Sequence, residues 1–210
     1  EMGKVIKGKW GKGPAGKKAP SGEAVSKEKV FQLHISLEET DPAIWRRFLV
    51  PGNVTLAKLH RIIQGVMGWT DTHLHEFAIG NVSYAEPDPE MDLAEGVKNE
   101  RRMHLNEVAP PAGGSFLYVY DFGDDWVHRV VMEKILDSHE LFSGKPLCLE
   151  GEGACPPEDC GGPPGYYDML NILKDEDDPE YDETMEWLGG EFDPDWFDIE
   201  ETNQFLSKLR

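Results

Sequence analysis

The sequence SFLYVYDF at residues 115–122, followed by GDD at 123–125 and WVHRVVMEKIL at 126–136, decides the fold class. Both outer runs are rich in aromatic and β-branched residues, and Gly123-Asp124-Asp125 is a turn-forming triplet, so the stretch reads as a β-hairpin. Toward the N-terminus, residues 73–84 read as a further strand. A polar stretch bracketed by Pro87, Pro89, Pro110 and Pro111 separates it from the hairpin and reads as a long surface excursion. Before that, Leu56, Leu59, Ile63, Val66 and Met67 recur at helical spacing, with Asn53 or Thr55 available as N-cap and Gly68 as the stop. Earlier still, Phe31, Leu33, Ile35 and Leu37 alternate with Gln32, His34, Ser36 and Glu38, the period-2 pattern of a half-buried strand. Thr40-Asp41-Pro42 signals a turn. Ile44–Val50 is then expected to pair back as a second strand, with apolar residues on both faces and its facing undecided. C-terminal to the hairpin the pattern turns helical. Tyr166, Met169 and Leu173 mark one short helix, and Asp178-Pro179 is expected to open another as N-cap and first helical residue, with Gly189 ending it. Asp198 and Glu201 form a capping-box-like pair before Ile199, Leu206 and Leu209. Strands first and helices last predicts an α+β fold.

The chain of 210 residues is long enough to bury a real core, and no run approaches the roughly 18 consecutive apolar residues of a membrane-spanning helix. Its formal net charge of -19 is unevenly placed. Residues 1–29 hold eight lysines against three glutamates, in a segment rich in Gly, Pro, Ala and Ser with few large apolar residues beyond Val5, Ile6 and Trp10. That segment is expected to be a basic flexible arm, and residues 30–210 a single α+β domain. From Cys148 to Arg210, 19 acidic residues face only Lys174, Lys208 and Arg210, which disfavours direct nucleic-acid binding by the domain, because phosphate contacts need basic patches. Three cysteines cannot form a fully paired disulfide framework, and the first residues carry no apolar signal region. A reducing cytosol is the expected location.

Four runs carry a resemblance. Thr55-Leu56-Ala57-Lys58-Leu59-His60 through Gly68-Trp69, then His73-Leu74-His75-Glu76-Phe77, then Tyr120-Asp121-Phe122-Gly123-Asp124-Asp125-Trp126-Val127-His128 and Pro156-Pro157-Glu158-Asp159-Cys160-Gly161-Gly162 stand in this order. Together they resemble the plasmid-pRi open-reading-frame-three-like family, also known as insertion-element passengers of the TnpR type. The resemblance spans about residues 30–209 and closes with Phe192-Asp193-Pro194 and a helix. It implies an α+β fold with an antiparallel, partly barrel-like sheet and a link to mobile DNA, and it implies no particular chemistry. The chain lacks the serine nucleophile setting and the basic surface of a recombinase.

Three groups of residues are candidates for chemistry. His60 lies near the apolar face of the first helix, and His73 and His75, two apart on a strand, are expected to point to one side. Three imidazoles converging between helix and sheet suit a metal or acid–base chemistry, or else they are core histidines bonded to Gln64, Glu76 or main chain. Asp121, Asp124 and Asp125 on the hairpin turn, with Glu158 and Asp159, suit Mg²⁺, although turn formation alone explains aspartates at such positions. Cys148, Cys155 and Cys160, spaced C-x6-C-x4-C, form a zinc set with His128 as fourth ligand, or pack as small apolar residues. Residues 148–165 have little to bury beyond Leu149 and the cysteines, so something must fix this loop. Either that zinc does so, or the rigidity of Pro156, Pro157, Pro163 and Pro164 with hydrogen bonds from Glu158 and Asp159.

No phosphate loop, dinucleotide motif or nucleophile–base pair is visible. The residues therefore favour a non-enzymatic binding or adaptor domain. In that reading His60, Gln64, Trp69, His73, His75, Asp121, Asp124 and Trp126 serve a groove between the sheet and the first helix. Its ligand is a protein or a small molecule, no cofactor is required and no membrane is involved. The rivals are a metal-dependent hydrolase or nuclease built on the carboxylates or histidines, and an acidic regulator mimicking DNA phosphates. Whether the chain is an enzyme stays open at this point.

Overall fold

Alternation along the chain builds the first hairpin. β1 (Val30–Leu37) buries Phe31, Leu33, Ile35 and Leu37 and pairs antiparallel with β2 (Trp45–Pro51), in a register that sets Leu33 against Phe48 and Ile35 against Arg46. The undecided facing of the second strand is thereby settled, since Arg46, Phe48 and Val50 share the core side. The computed structural model describes residues 29–87 and 94–209, so the basic arm expected over 1–29 lies outside the described residues except for Lys29. Helix α1 (Leu56–Met67) follows, begun by the Thr55 hydroxyl, which accepts the Lys58 N–H, and stopped by Gly68 at φ 117°. Only glycine takes that left-handed conformation without strain.

Residues 73–84 are not one strand. They contain β3 (His75–Ile79) and the start of β4 (Val82–Ala85), a hairpin that turns at Gly80 with φ 61°. The proline-bracketed excursion is folded as well, with β5 (Lys98–Asn99), a 3₁₀ turn at Glu100–Arg102 and α2 (Leu105–Val108). It buries Glu100 and Leu105, and its backbone bonds with the start of α1 through Leu56 N–H to Met103 O.

β6 (Ser115–Tyr120) and β7 (Trp126–Leu136) form the expected hairpin, and β8 (Leu147–Glu152) then pairs with β2. The remaining elements are α3 (Gly162–Ile172), α4 (Tyr181–Leu188) and α5 (Ile199–Lys208). α4 starts later than Asp178-Pro179 predicts, because Asp178 spends its carboxylate on the Glu180 N–H in a preceding turn. Asp198 does cap α5, accepting from the Glu200 and Glu201 N–H groups.

The eight strands form one sheet in the order β5-β4-β3-β6-β7-β1-β2-β8, antiparallel except for β4 with β5. The fold is α+β as predicted, and the sheet is not closed. At its β8 edge Asn203 of α5 accepts from the Cys148 N–H and donates to the Cys148 carbonyl, covering backbone groups that an edge otherwise exposes. The core lies between the sheet and α1, where Leu59, Ile62, Ile63 and Val66 meet Phe48, Phe77, Tyr118 and Trp126. Among the described residues no helix is long and apolar enough to cross a membrane.

Candidate functional site

The four runs that carry the resemblance meet at one corner of the molecule. α1 and the Trp69–Leu74 loop approach β3, the β6–β7 turn and the segment between β8 and α3. Within this corner His60, Gln64, Tyr118 and Asp71 close a ring of hydrogen bonds. Gln64 Nε2 donates to the Tyr118 hydroxyl at 2.9 Å, and that hydroxyl lies 2.8 Å from His60 Nδ1. His60 Nε2 lies 2.7 Å from Asp71 Oδ1, and the Asp71 N–H donates to Gln64 Oε1 at 2.8 Å. Each donor finds one acceptor when His60 is neutral and protonated on Nε2. Burial, and then the neighbouring His75, push the His60 pKa down, in keeping with that form. His75 stacks flat on His60 with ring centroids 3.4 Å apart and bonds the buried Glu100 carboxylate at 2.8 Å. Both imidazoles are therefore satisfied core groups, and only the outer side of His60 reaches a small recess with Lys58, Arg61, Asp71 and Glu100.

His73 does not join them. It precedes β3, so strand parity does not govern its direction, and it faces carboxylates instead. His73 Nε2 is 3.1 Å from Asp159 Oδ1, 3.6 Å from Asp121 Oδ2 and 3.9 Å from Glu158 Oε2. Glu158 is held asymmetrically. Its Oε1 accepts from the Thr70 N–H, the Thr70 hydroxyl and the Tyr120 hydroxyl, while its Oε2 is buried without a hydrogen-bond partner among the described residues. His73 Nε2 is likewise buried, and its approach to Asp159 lacks hydrogen-bond geometry. Burial raises the Tyr120 pKa, which keeps that hydroxyl a donor.

Cys148, Cys155, Cys160 and His128, one of the two readings of this loop, are not gathered as a ligand group among the described residues. Among the described residues, the one group of histidine, cysteine and carboxylate ligand atoms close enough to share an ion is His73, Asp121 and Asp159. His128 is fully buried, with Nδ1 on the Tyr118 and Trp126 carbonyls and Nε2 accepting from the Trp69 indole at 3.5 Å. Cys148 lies in β8 with its thiol on the Arg47 and Glu150 carbonyls. Burial pushes the Cys148 thiol up to about 11 and the Cys160 thiol up to about 12, and raises Cys155 well above its ordinary value, so without a metal all three are thiols at neutral pH.

The cysteine-bearing loop is fixed by other means. Pairing of β8 with β2 holds its start, and the Arg46 guanidinium holds the Glu152 and Gly153 carbonyls. Thr70 holds Glu158, and Asp124 Oδ2 accepts the Gly161 N–H. Asp124 is thus a structural turn residue rather than a groove lining. Gly162 sits at φ 67°, and a Cβ there would lie 2.3 Å from the Asp124 carbonyl oxygen. Gly162→Ala is therefore expected to cost about 2 kcal/mol through left-handed strain and this clash, and to expose the 158–165 loop to protease before the rest of the chain unfolds. Cleavage no faster than in the wild type would contradict this seating. Trp126, expected at a groove, is instead wholly buried against Trp69 and Tyr166.

An open cavity of about 800 Å³ lies between α1, the start of the cysteine loop and the segment leading into α5. Of the expected ligand residues it contains Gln64 and Trp69. Sequence reasoning missed most of its wall, namely Phe192, Trp196, Phe197 and Phe205, and its acidic rim of Glu191, Asp193 and Glu201. Trp196 and Phe205 are half exposed, unusual for side chains of that size.

Comparison with known proteins agrees with the four runs. The chain matches the plasmid pRiA4b ORF-3-like protein family over residues 29–201. An uncharacterised protein of Sinorhizobium fredii, y4hQ, is 38% identical over 161 residues, covering 76% of this chain and 81% of that protein. The crystal structure of a protein of unknown function, MM3350 from Methanosarcina mazei Go1, aligns with a TM-score of 0.72 and 39% identity, covering 83% of this chain and 97% of that one. This chain belongs to the plasmid pRiA4b ORF-3-like family.

Proposed function

We propose that the chain is a binding domain whose groove between α1 and α5 takes a short segment of a partner protein, one that combines aromatic or aliphatic side chains with lysine or arginine. The observation that carries this reading is the cavity of about 800 Å³, apolar on its walls through Trp69, Phe192, Trp196 and Phe205 and acidic on its rim through Glu191, Asp193 and Glu201. Among the described residues that line it, the one cation is Arg46, whose guanidinium is occupied by backbone carbonyls. The acidic C-terminal third adds long-range attraction of the same sign.

The plasmid in the family's description supports seeking the partner among proteins that act on mobile DNA, which carry the basic surfaces that this groove would recognise. The three free thiols support a reducing cytosol as the place of that encounter.

The test is fluorescence titration with synthetic peptides that alternate tryptophan or leucine with lysine, against counterparts in which glutamate replaces lysine. The basic set is expected to bind, to weaken as salt rises, and to lose about tenfold in affinity in Trp196→Ala and Phe205→Ala. Both side chains are half exposed, so the variants keep the fold. Equal binding of the acidic counterparts, or no binding of the basic set at millimolar concentration, would overturn the reading.

A further inference from the structure

We propose that His73, Asp121 and Asp159, with Glu158 beside them, form a binding site for one divalent metal ion of the first transition row. Their ligand atoms come from three segments that are far apart in sequence and gather within 4.8 Å of one another. Ligands around an ion bound at about 2.1 Å stand roughly 3.0–3.5 Å apart, so the separations of 3.1 and 3.6 Å from His73 Nε2 need only small closure. Clustered acids alone would carry no such inference in a chain this acidic. Here the cluster also holds an imidazole nitrogen and a carboxylate oxygen, His73 Nε2 and Glu158 Oε2, which are buried and have no hydrogen-bond partner among the described residues. Buried polar atoms are rarely left so, and a shared cation satisfies both at once. The Asp121 side chain is nine-tenths buried, with 10% exposure. Its Oδ1 takes the Gly123 N–H, while its Oδ2 lies 3.6 Å from His73 Nε2.

The donor set selects the ion. One imidazole with two or three carboxylates is harder than a thiolate site and softer than the all-oxygen sites of Ca²⁺ and Mg²⁺, so Mn²⁺, Fe²⁺ and Zn²⁺ are the matching class. Asp159 is 71% exposed and closes the outer side, which gives the ion a path from solvent. The ion would act as a clasp between the three segments that supply its ligands. It would tie the start of β3 and the β6–β7 turn to the loop whose Ala154 and Cys155 wall the groove.

The decisive measurement is titration of the chelator-treated full chain with Mn²⁺, followed by electron paramagnetic resonance of the free ion. Mn²⁺ reads oxygen and nitrogen donors and has little affinity for protonated thiols. About one equivalent is expected, with a loss of at least tenfold in affinity in His73→Gln and in Asp159→Asn. Cys155→Ser and Glu200→Gln are expected to bind as the wild type does, since neither touches the cluster. Asp159 is exposed enough for its variant to fold, and the melting temperature of the metal-free variants verifies this. Wild-type chain that takes up no stoichiometric Mn²⁺ at millimolar concentration would overturn the proposal. So would affinity unchanged in both folded variants, which would assign the binding to diffuse surface acid.

Discussion

Replacing Arg46 with alanine is expected to lower the unfolding free energy by about 4 kcal/mol, since four buried or part-buried carbonyls lose a cationic donor together. Arg46 is 1% exposed, on the core side of β2, with no carboxylate partner among the described residues. Its guanidinium is held by main chain instead. Nε donates to the Val66 carbonyl at 2.8 Å, at the negative end of the α1 dipole, and the two other nitrogens donate to the Trp45, Glu152 and Gly153 carbonyls at the same distance. The group also lies over the Phe197 ring, 3.9 Å from its centroid. Gly151 leaves the space for that stack, since a Cβ there would meet Arg46 Cδ at 2.6 Å and the Phe197 ring at 2.7 Å. One side chain thus joins the end of α1, the end of β8 and the segment that walls the groove. Urea unfolding of Arg46→Ala, Arg46→Met and Arg46→Lys separates the causes. Methionine restores stem volume without donors and is expected to keep most of the loss, while lysine recovers part of it. A methionine variant as stable as the wild type would show that packing, not donation, is what Arg46 supplies, as happens when some buried ions are replaced by apolar groups.

What the sequence disclosed follows the range of the forces involved. β1 and α1 were legible because Phe31, Leu33, Ile35 and Leu37, or Leu59, Ile63 and Val66, encode their own periodicity, and Thr55 and Gly68 encode the ends. β8 was not, because LCLEGE has no strand pattern and owes its conformation to β2 on one edge and Asn203 on the other. The candidate site divides in the same way. His73, Asp121, Glu158 and Asp159 were all singled out, but His73 was grouped with His60 and His75 by a parity that applies only inside a strand, and the strand begins two residues later. Tertiary approach of the β6–β7 turn and the cysteine loop regroups it with carboxylates. Arg46 escaped notice because a charge in a strand reads as solvent-facing. Its parity with Phe48 and Val50 was the one signal that it is not. The groove wall of Trp196 and Phe205 depends wholly on where α5 docks, against Gly65 of α1, where a Cβ would meet the Phe205 ring at 2.4 Å.

Stability is expected to fall by about 3 kcal/mol between pH 6.5 and pH 4 through His128 alone. Burial draws the pKa of this imidazole from its ordinary value of 6.5 down to about 4, against the opposing pull of the Tyr118 and Trp126 carbonyls. The unfolded chain therefore binds a proton in this window that the folded chain refuses, and unfolding gains as pH falls. The contribution is fully present above the unfolded pKa of 6.5, is lost progressively below it, and is gone once the folded pKa is passed at about 4. His60 acts with the same sign, since burial and His75 lower its pKa too, and its protonation would break the bond it accepts from the Tyr118 hydroxyl. Carboxylates titrate in the same acidic range, so the comparison that isolates His128 is with His128→Gln, whose amide can still donate to the Trp126 carbonyl. Urea midpoints measured from pH 7 to pH 4 are expected to fall less steeply in this variant than in the wild type. Parallel slopes would show that His128 carries the same proton in both states, and would contradict the neutral, carbonyl-bonded imidazole at the centre of the fold.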